Sequence, residues 1–165
     1  MRRKTKIYLD TSVISHLDAE DVPEKMRHTR EFWEKVKLGL EFDVFVSDLT
    51  NFELQQCYEP KRTRLFAFLS EVEHVAIART EEIIGLADRY LEYGVLTKKD
   101  YDDLRHMAYA VVSQCDCIAS WNLKHFVNDT TMDRVNVVNL TEGYRSIEIL
   151  TPQKIIGGEN DSKSR

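Results

Sequence analysis

The sequence predicts an α/β domain in which a central, mainly parallel sheet carries helices on both faces. Short β-prone apolar runs alternate with longer stretches of helical periodicity, as parallel strands joined by helical crossovers require. Acidic or amide residues stand just after the first and fourth of those runs, at the carboxyl ends where open α/β sheets collect ligands. The 165 residues, 42% hydrophobic and 31% charged, suit one folded unit, and a chain of this length buries roughly 70% of its unfolded surface without disulfides or a structural metal. Residues 1–156 are expected to form this unit, with 157–165 a flexible polar tail.

The run Lys6-Ile7-Tyr8-Leu9-Asp10 reads as a strand ending in an acid, and Thr11-Ser12 can cap a helix that starts near Val13. Pro23 opens a charged segment in which Met26, Phe32, Trp33, Val36 and Leu40 recur at helical intervals, with Gly39 near its end. Phe42 to Ser47 is the second strand. Asp48 or Thr50 can cap the next helix, which carries Glu53, and Pro60 restarts a helix with Leu65, Phe66 and Leu69 on one side. Val75 to Ala78 is a third strand. Thr80–Leu91 and Thr97–Cys115 are helical, with Gly94 as the C-cap between them. Cys117 to Ser120 is a fourth strand, residues 129–142 a helix, and Ile147, Ile149 and Leu150 belong to a last strand that stops at Thr151-Pro152.

Composition removes several classes of function. The longest apolar run, Met107 to Val112, is six residues against about 20 needed to cross a bilayer, and the basic start at Arg2, Arg3, Lys4 and Lys6 leads into no secretory hydrophobic region. A cytoplasmic protein is expected. Lysine and arginine number 23 against 28 acids, for a net charge of −5, so any nucleic-acid contact is local or helped by cations. Cys57, Cys115 and Cys117 lack the spacing of zinc or redox motifs and read as buried thiols in a reducing compartment. The six glycines form neither a dinucleotide fingerprint nor a Walker loop.

The candidate chemistry rests on carboxylates. Asp10 ends the first strand, Glu53 lies in the helix after the second, and Asn122 lies just beyond the fourth. Asp102 and Asp103 share the helix before that strand but point about 100° apart; Asp103 borders the apolar stripe of Leu104, Met107, Ala108 and Val111, and is the one expected to face the crevice. Carboxylates gathered in one crevice repel each other unless a cation neutralises them. All-oxygen ligands suit Mg²⁺ or Mn²⁺, which keep waters and can hold a phosphate at the same time. Phosphodiester hydrolysis is the implied chemistry, with a second ion about 4 Å away as an option.

At these residues the chain resembles the PIN-domain family of metal-dependent ribonucleases, especially its VapC-like toxins. The resemblance is carried by Ile7-Tyr8-Leu9-Asp10-Thr11-Ser12, Glu53, Asp103-Leu104-Arg105-His106-Met107-Ala108, Ser120-Trp121-Asn122-Leu123-Lys124-His125-Phe126 and the closing Ile149-Leu150-Thr151-Pro152, over roughly residues 6–155. It implies a three-layer α/β/α sandwich, Mg²⁺ or Mn²⁺, endonucleolytic RNA cleavage, homodimers and, for toxin members, an antitoxin partner. Asp10, Glu53 and Asp103 fall on the family's acidic metal positions and Ser12 on a hydroxyl that orients the site. Asn122 departs from the aspartate of many members: an amide offers an acceptor without charge, which implies a weaker second ion or a single-metal mode.

Each residue also has a plain structural reading. Asp10 could be a helix N-cap, Glu53 a solvated helix residue, Asp103 surface charge, and Asp116, at the other end of the fourth strand, a turn residue. His106 and His125 read first as local hydrogen-bonding groups, and Trp121 and Phe126 as core. Lys61, Arg62, Arg64 and Lys124 either grip an RNA backbone or form a solvated face. Two other functions stay open: a non-catalytic PIN-like module that binds RNA or protein, weakened by Asn122, and a haloacid-dehalogenase-type phosphatase, which needs an acid where Ser12 stands.

Overall fold

The computed structural model describes residues 3–161. Strands β1 (Thr5–Leu9), β2 (Phe42–Ser47), β3 (His74–Ile77), β4 (Cys117–Ala119) and β5 (Glu148–Leu150) form one sheet in the order β3-β2-β1-β4-β5. Every pairing is parallel, with Ile7 opposite both Val44 and Cys117. Between the strands run α1 (Thr11–Ser15), α2 (Pro23–Lys37), α3 (Asp48–Gln55), α4 (Lys61–Ser70), α5 (Glu81–Glu92), α6 (Tyr101–Val112) and α7 (Asp129–Thr141), and α8 (Pro152–Asp161) follows β5.

The two-residue alternation of a strand buried on both sides divides the core. Ile7, Leu9, Val44, Val46, Cys117 and Ala119 face one cluster, which includes Val13 and Ile14 of α1, Phe32, Trp33 and Val36 of α2, and Leu65 and Leu69 of α4. Tyr8, Ile118 and Ile149 face the other, filled by Ile83, Leu86, Ala87 and Tyr90 of α5, by Leu104, Met107, Ala108 and Val111 of α6, and by Val135 and Val138 of α7. The helical sets repeat at i, i+3, i+4 and i+7, the spacing of one helix face. The result is the three-layer α/β/α arrangement, and its sheet is wholly rather than mainly parallel.

Local chemistry sets the boundaries. Gly94, at φ +73°, takes the left-handed conformation that ends α5, and Val95 N–H closes back on the carbonyl of Tyr90 at 3.0 Å. The cap of α3 is Ser47 rather than Asp48 or Thr50: Ser47 Oγ accepts Thr50 N–H, and Thr50 Oγ1 accepts Ser47 N–H, each at 3.2 Å. The helix expected from Thr97 begins at Tyr101, after a 3-10 turn over Lys98–Asp100. Cys115 and Cys117 are buried, and burial pushes both thiols up to about 12; Cys57, expected to be buried as well, is half-exposed.

One element differs from the sequence reading more sharply. Thr151-Pro152 does stop the last strand, but it also starts α8, with Lys154 N–H on Thr151 Oγ1 at 3.1 Å and Pro at the first position, where its missing N–H is harmless. Ile155 and Ile156 pack on the cluster beneath α2. The helix therefore runs through the boundary set at residue 157; residues 162–165 of the expected tail, and Met1 and Arg2 of the basic start, lie outside the described residues. No described helix is long and apolar enough to cross a membrane.

Because Ser47 caps the helix that carries Glu53, Ser47→Ala should lower stability by about 1–2 kcal/mol, read by urea denaturation. An unchanged midpoint would show that the cap does not support α3.

Candidate active site

The strand order reverses between β1 and β4, and the crevice at their carboxyl ends is where an open parallel sheet presents ligands. Asp10 leaves β1 there, with its N–H on the carbonyl of Ala119 at 3.0 Å. It occupies the N-cap position of α1, but its side chain does no capping. Instead Oδ2 accepts hydrogen bonds from Ser12 Oγ at 2.6 Å and Ser120 Oγ at 2.9 Å. The same two serines accept the backbone N–H groups of Trp121 and Asn122, both at 3.0 Å. Two hydroxyls thus bind the buried carboxylate to the diverging ends of β1 and β4, and Oδ1 is left without a hydrogen bond among the described residues.

Glu53, in the last turn of α3, has Oε1 held by Thr11 Oγ1 at 2.9 Å and by His106 Nε2. Asp103 stands in the first turn of α6, where its Oδ2 meets His125 Nδ1 at 3.2 Å. Its neighbour Asp102 pairs with Arg105 at 3.1 Å and has a side chain 61% exposed, against 24% for Asp103. Of the two, Asp103 is the less exposed and the one that meets a side chain from the loop after β4. His106, one turn after Asp103 and fully buried, is the group that sequence reasoning undervalued. Its Nδ1 meets Tyr8 Oη at 2.6 Å, and its Nε2 reaches Glu53 and lies 3.8 Å from Asp10 Oδ1.

These groups perturb one another. Burial, and then the charge of Asp10, push the Asp103 carboxyl up to about 6. Burial alone would discharge His106, but its hydrogen bond to Glu53 and the charges of Asp10, Glu53 and Asp103 together raise its pKa above the ordinary histidine value. Burial likewise opposes charge on Glu53, and the His106 and Thr11 contacts outweigh it, leaving the carboxyl below its ordinary value. The crevice therefore contains an imidazole that shares a hydrogen bond with one of its carboxylates.

Asp10 and Glu53 flank His106 Nε2, and Asp103 stands one turn before His106 and feels the charge of Asp10; each has one oxygen pinned by a protein donor and the other without such a partner among the described residues. Their oxygens do not form a ready-made cage. The described residues whose ligand atoms all lie within 4.8 Å of one another are Asp100, Asp103 and His125; Asp100 escaped the sequence reading because nothing in its spacing marks it. Asn122 is drawn in through its backbone, but its Oδ1 accepts His125 N–H at 3.0 Å and so shapes the loop that brings His125 to Asp103. Of the basic residues expected near RNA, Arg64 is paired with Asp18 at 2.8 Å and Arg62 with Glu59 at 3.6 Å. Lys61 and Lys124 make no ion pair among the described residues. Trp121 and Phe126 are buried in the core, and Asp116 sits at the opposite sheet edge, accepting Lys6 N–H at 2.8 Å.

By type the donor set fits a hard divalent cation: three carboxylates from separate elements, each held at one oxygen and with the other left over. No protein-family model matches the sequence, and no curated protein matches it. Among solved structures, the crystal structure of VapBC2 from Rickettsia felis bound to a DNA fragment from their promoter contains a chain similar to this one, at TM-score 0.59 and 14% identity, covering 89% of this chain and 98% of its own length. The likeness is one of fold. It bears out the α/β/α architecture that the sequence resemblance implies.

An acid whose folded pKa lies above its ordinary value loses stability as pH rises, because the unfolded chain releases the proton first. With EDTA present, Asp103→Asn should match the parent near pH 4 and become the more stable protein by on the order of 2 kcal/mol above pH 6, with the gap opening between those values. Thermal melts across pH would show it; a pH-independent difference would refute the shift.

Proposed function

We propose that this chain is a divalent-metal-dependent endoribonuclease that hydrolyses RNA phosphodiester bonds in the cytoplasm, as the toxin of a toxin–antitoxin pair. The observation that carries the reading is that Asp10 and Glu53 flank His106 Nε2 beside the switch point of a parallel sheet, with Asp103 one turn earlier on α6, each carboxylate having one oxygen held by the protein and one left over. Asp10, Glu53 and Asp103 would hold Mg²⁺ or Mn²⁺. Such an ion supplies Lewis-acid polarisation of the scissile phosphate and a lowered pKa for an attacking water.

The chain's own residues do the positioning. Ser12 and Ser120 fix Asp10, Thr11 and His106 fix Glu53, and His125 orients Asp103. Lys124, exposed on the loop after β4 and without an ion pair among the described residues, would meet a backbone phosphate in this reading. Lys61 is the other basic candidate. Arg62 and Arg64, neutralised by Glu59 and Asp18, are weaker ones. A homodimer and an antitoxin partner belong to this reading, the latter supported by a structural neighbour from a VapBC2 assembly.

A second reading has an observation of its own. Asn122 brings no charge, and its amide oxygen is engaged by His125 N–H, so a non-catalytic RNA- or protein-binding module is the competitor. The two separate in one assay. The parent chain should cut RNA in Mn²⁺ and stop in EDTA, and Asp10→Asn should lose at least about 100-fold in rate, the several kcal/mol a cation contributes to a phosphoryl transition state, with its circular dichroism unchanged. Cleavage undiminished in Asp10→Asn would end the proposal. RNA binding without cleavage, restored to cleavage by Asn122→Asp, would establish the competitor.

A further inference from the structure

The hydrogen bonds around His106 close a circuit. Tyr8, on β1, points its hydroxyl into the helix layer and meets Ser47 Oγ at 2.8 Å, Thr50 Oγ1 at 3.5 Å and His106 Nδ1 at 2.6 Å. Ser47 and Thr50 are the reciprocal cap that starts α3. Glu53 lies one helical turn beyond Thr50, on the same side of α3, and its Oε1 returns to His106 Nε2. The path therefore runs from the cap of α3 through a strand residue and a residue of α6 back to the carboxylate that α3 carries. Tyr8, Ser47, Thr50 and His106 are all buried, so no water competes for these bonds, and a missing member leaves its neighbours unsatisfied in a dry interior.

A core histidine needed only for packing would meet apolar neighbours or backbone carbonyls. His106 instead spends both ring nitrogens on this circuit, one on a buried phenol and the other on a crevice carboxylate, with Asp10 Oδ1 3.8 Å from the same Nε2. We propose that His106, oriented by Tyr8, is a positioning residue for cation binding: by holding Glu53 Oε1 it presents Glu53 Oε2 to the crevice and fixes the spacing between Glu53 and Asp10. This deepens the metal-dependent reading above and rests on it. It also assigns Tyr8, far from solvent, a role in the site through His106 alone.

The test uses the full chain and Mn²⁺ alone, without RNA, with free Mn²⁺ followed by electron paramagnetic resonance and folding by circular dichroism. His106→Ala should weaken Mn²⁺ binding 10- to 100-fold, the range for losing a hydrogen-bond partner of a metal-binding side chain. Tyr8→Phe, which removes one hydroxyl, should weaken it several-fold. His106→Gln, whose side-chain amide can donate to the same carboxylate, should recover most of the loss, which a packing role would not produce. Folded His106→Ala or Tyr8→Phe protein that binds Mn²⁺ as tightly as the parent overturns the inference, as does failure of His106→Gln to exceed His106→Ala. If His106→Ala does not fold, Tyr8→Phe and His106→Gln decide by the same criteria. A parent chain that takes up no Mn²⁺ defeats the metal-dependent reading itself, so the two failures are distinct.

Discussion

The candidate site depends on how one buried carboxylate is tied down. β1 and β4 are neighbours in the sheet, but the chain leaves them in different directions, and Asp10 sits where they part. A carboxylate in that position has lost most of its water and needs donors. Ser12 and Ser120, one from each departing segment, provide them, and each also receives a backbone N–H from the segment that follows β4. The same four hydrogen bonds hold Asp10 Oδ2, close the end of the sheet and set the course of the loop that carries Asn122 and His125. Charge and chain path are settled together.

Much of this was legible in the sequence because it follows from periodicity. The helical periodicity of α5 and α6, the short β-prone runs of β1 and β2, the Gly94 turn and the preference for Asp103 over Asp102 all came from one-dimensional spacing. The cap of α3 was harder: Ser47, Asp48 and Thr50 are all capping residues, and the choice among them depends on where β2 ends, which is a tertiary matter. α8 was missed for a different reason. Its two isoleucines and paired glycines have little helix propensity, and the helix exists because α2 offers those isoleucines a surface to cover.

The site divides along the same line. Asp10 and Asp103 could be found from their places at a strand end and a helix edge. His106 could not, because a histidine inside an apolar stripe looks like core until its partners are known, and those partners lie 98 residues upstream at Tyr8 and 53 upstream at Glu53. Spacing alone presents the acids as mutually repelling, with a cation as the remedy. The structure adds an imidazole whose Nε2 is hydrogen-bonded to Glu53 and lies near Asp10, and the carboxylate oxygens of Asp10, Glu53 and Asp103 do not form a closed cage.

The wholly parallel sheet has a consequence for how the molecule comes into being. β1 is the central strand, yet its partners are β2 and β4, and the hydroxyl that completes the hold on Asp10 belongs to Ser120. While the chain is still being synthesised, everything up to α6 can have left the ribosome and Asp10 will still lack half of its support. A chain built this way has no completed hold on Asp10 in a truncated or half-made polypeptide, so the crevice takes its final form only after β4 and the segment that follows it have emerged.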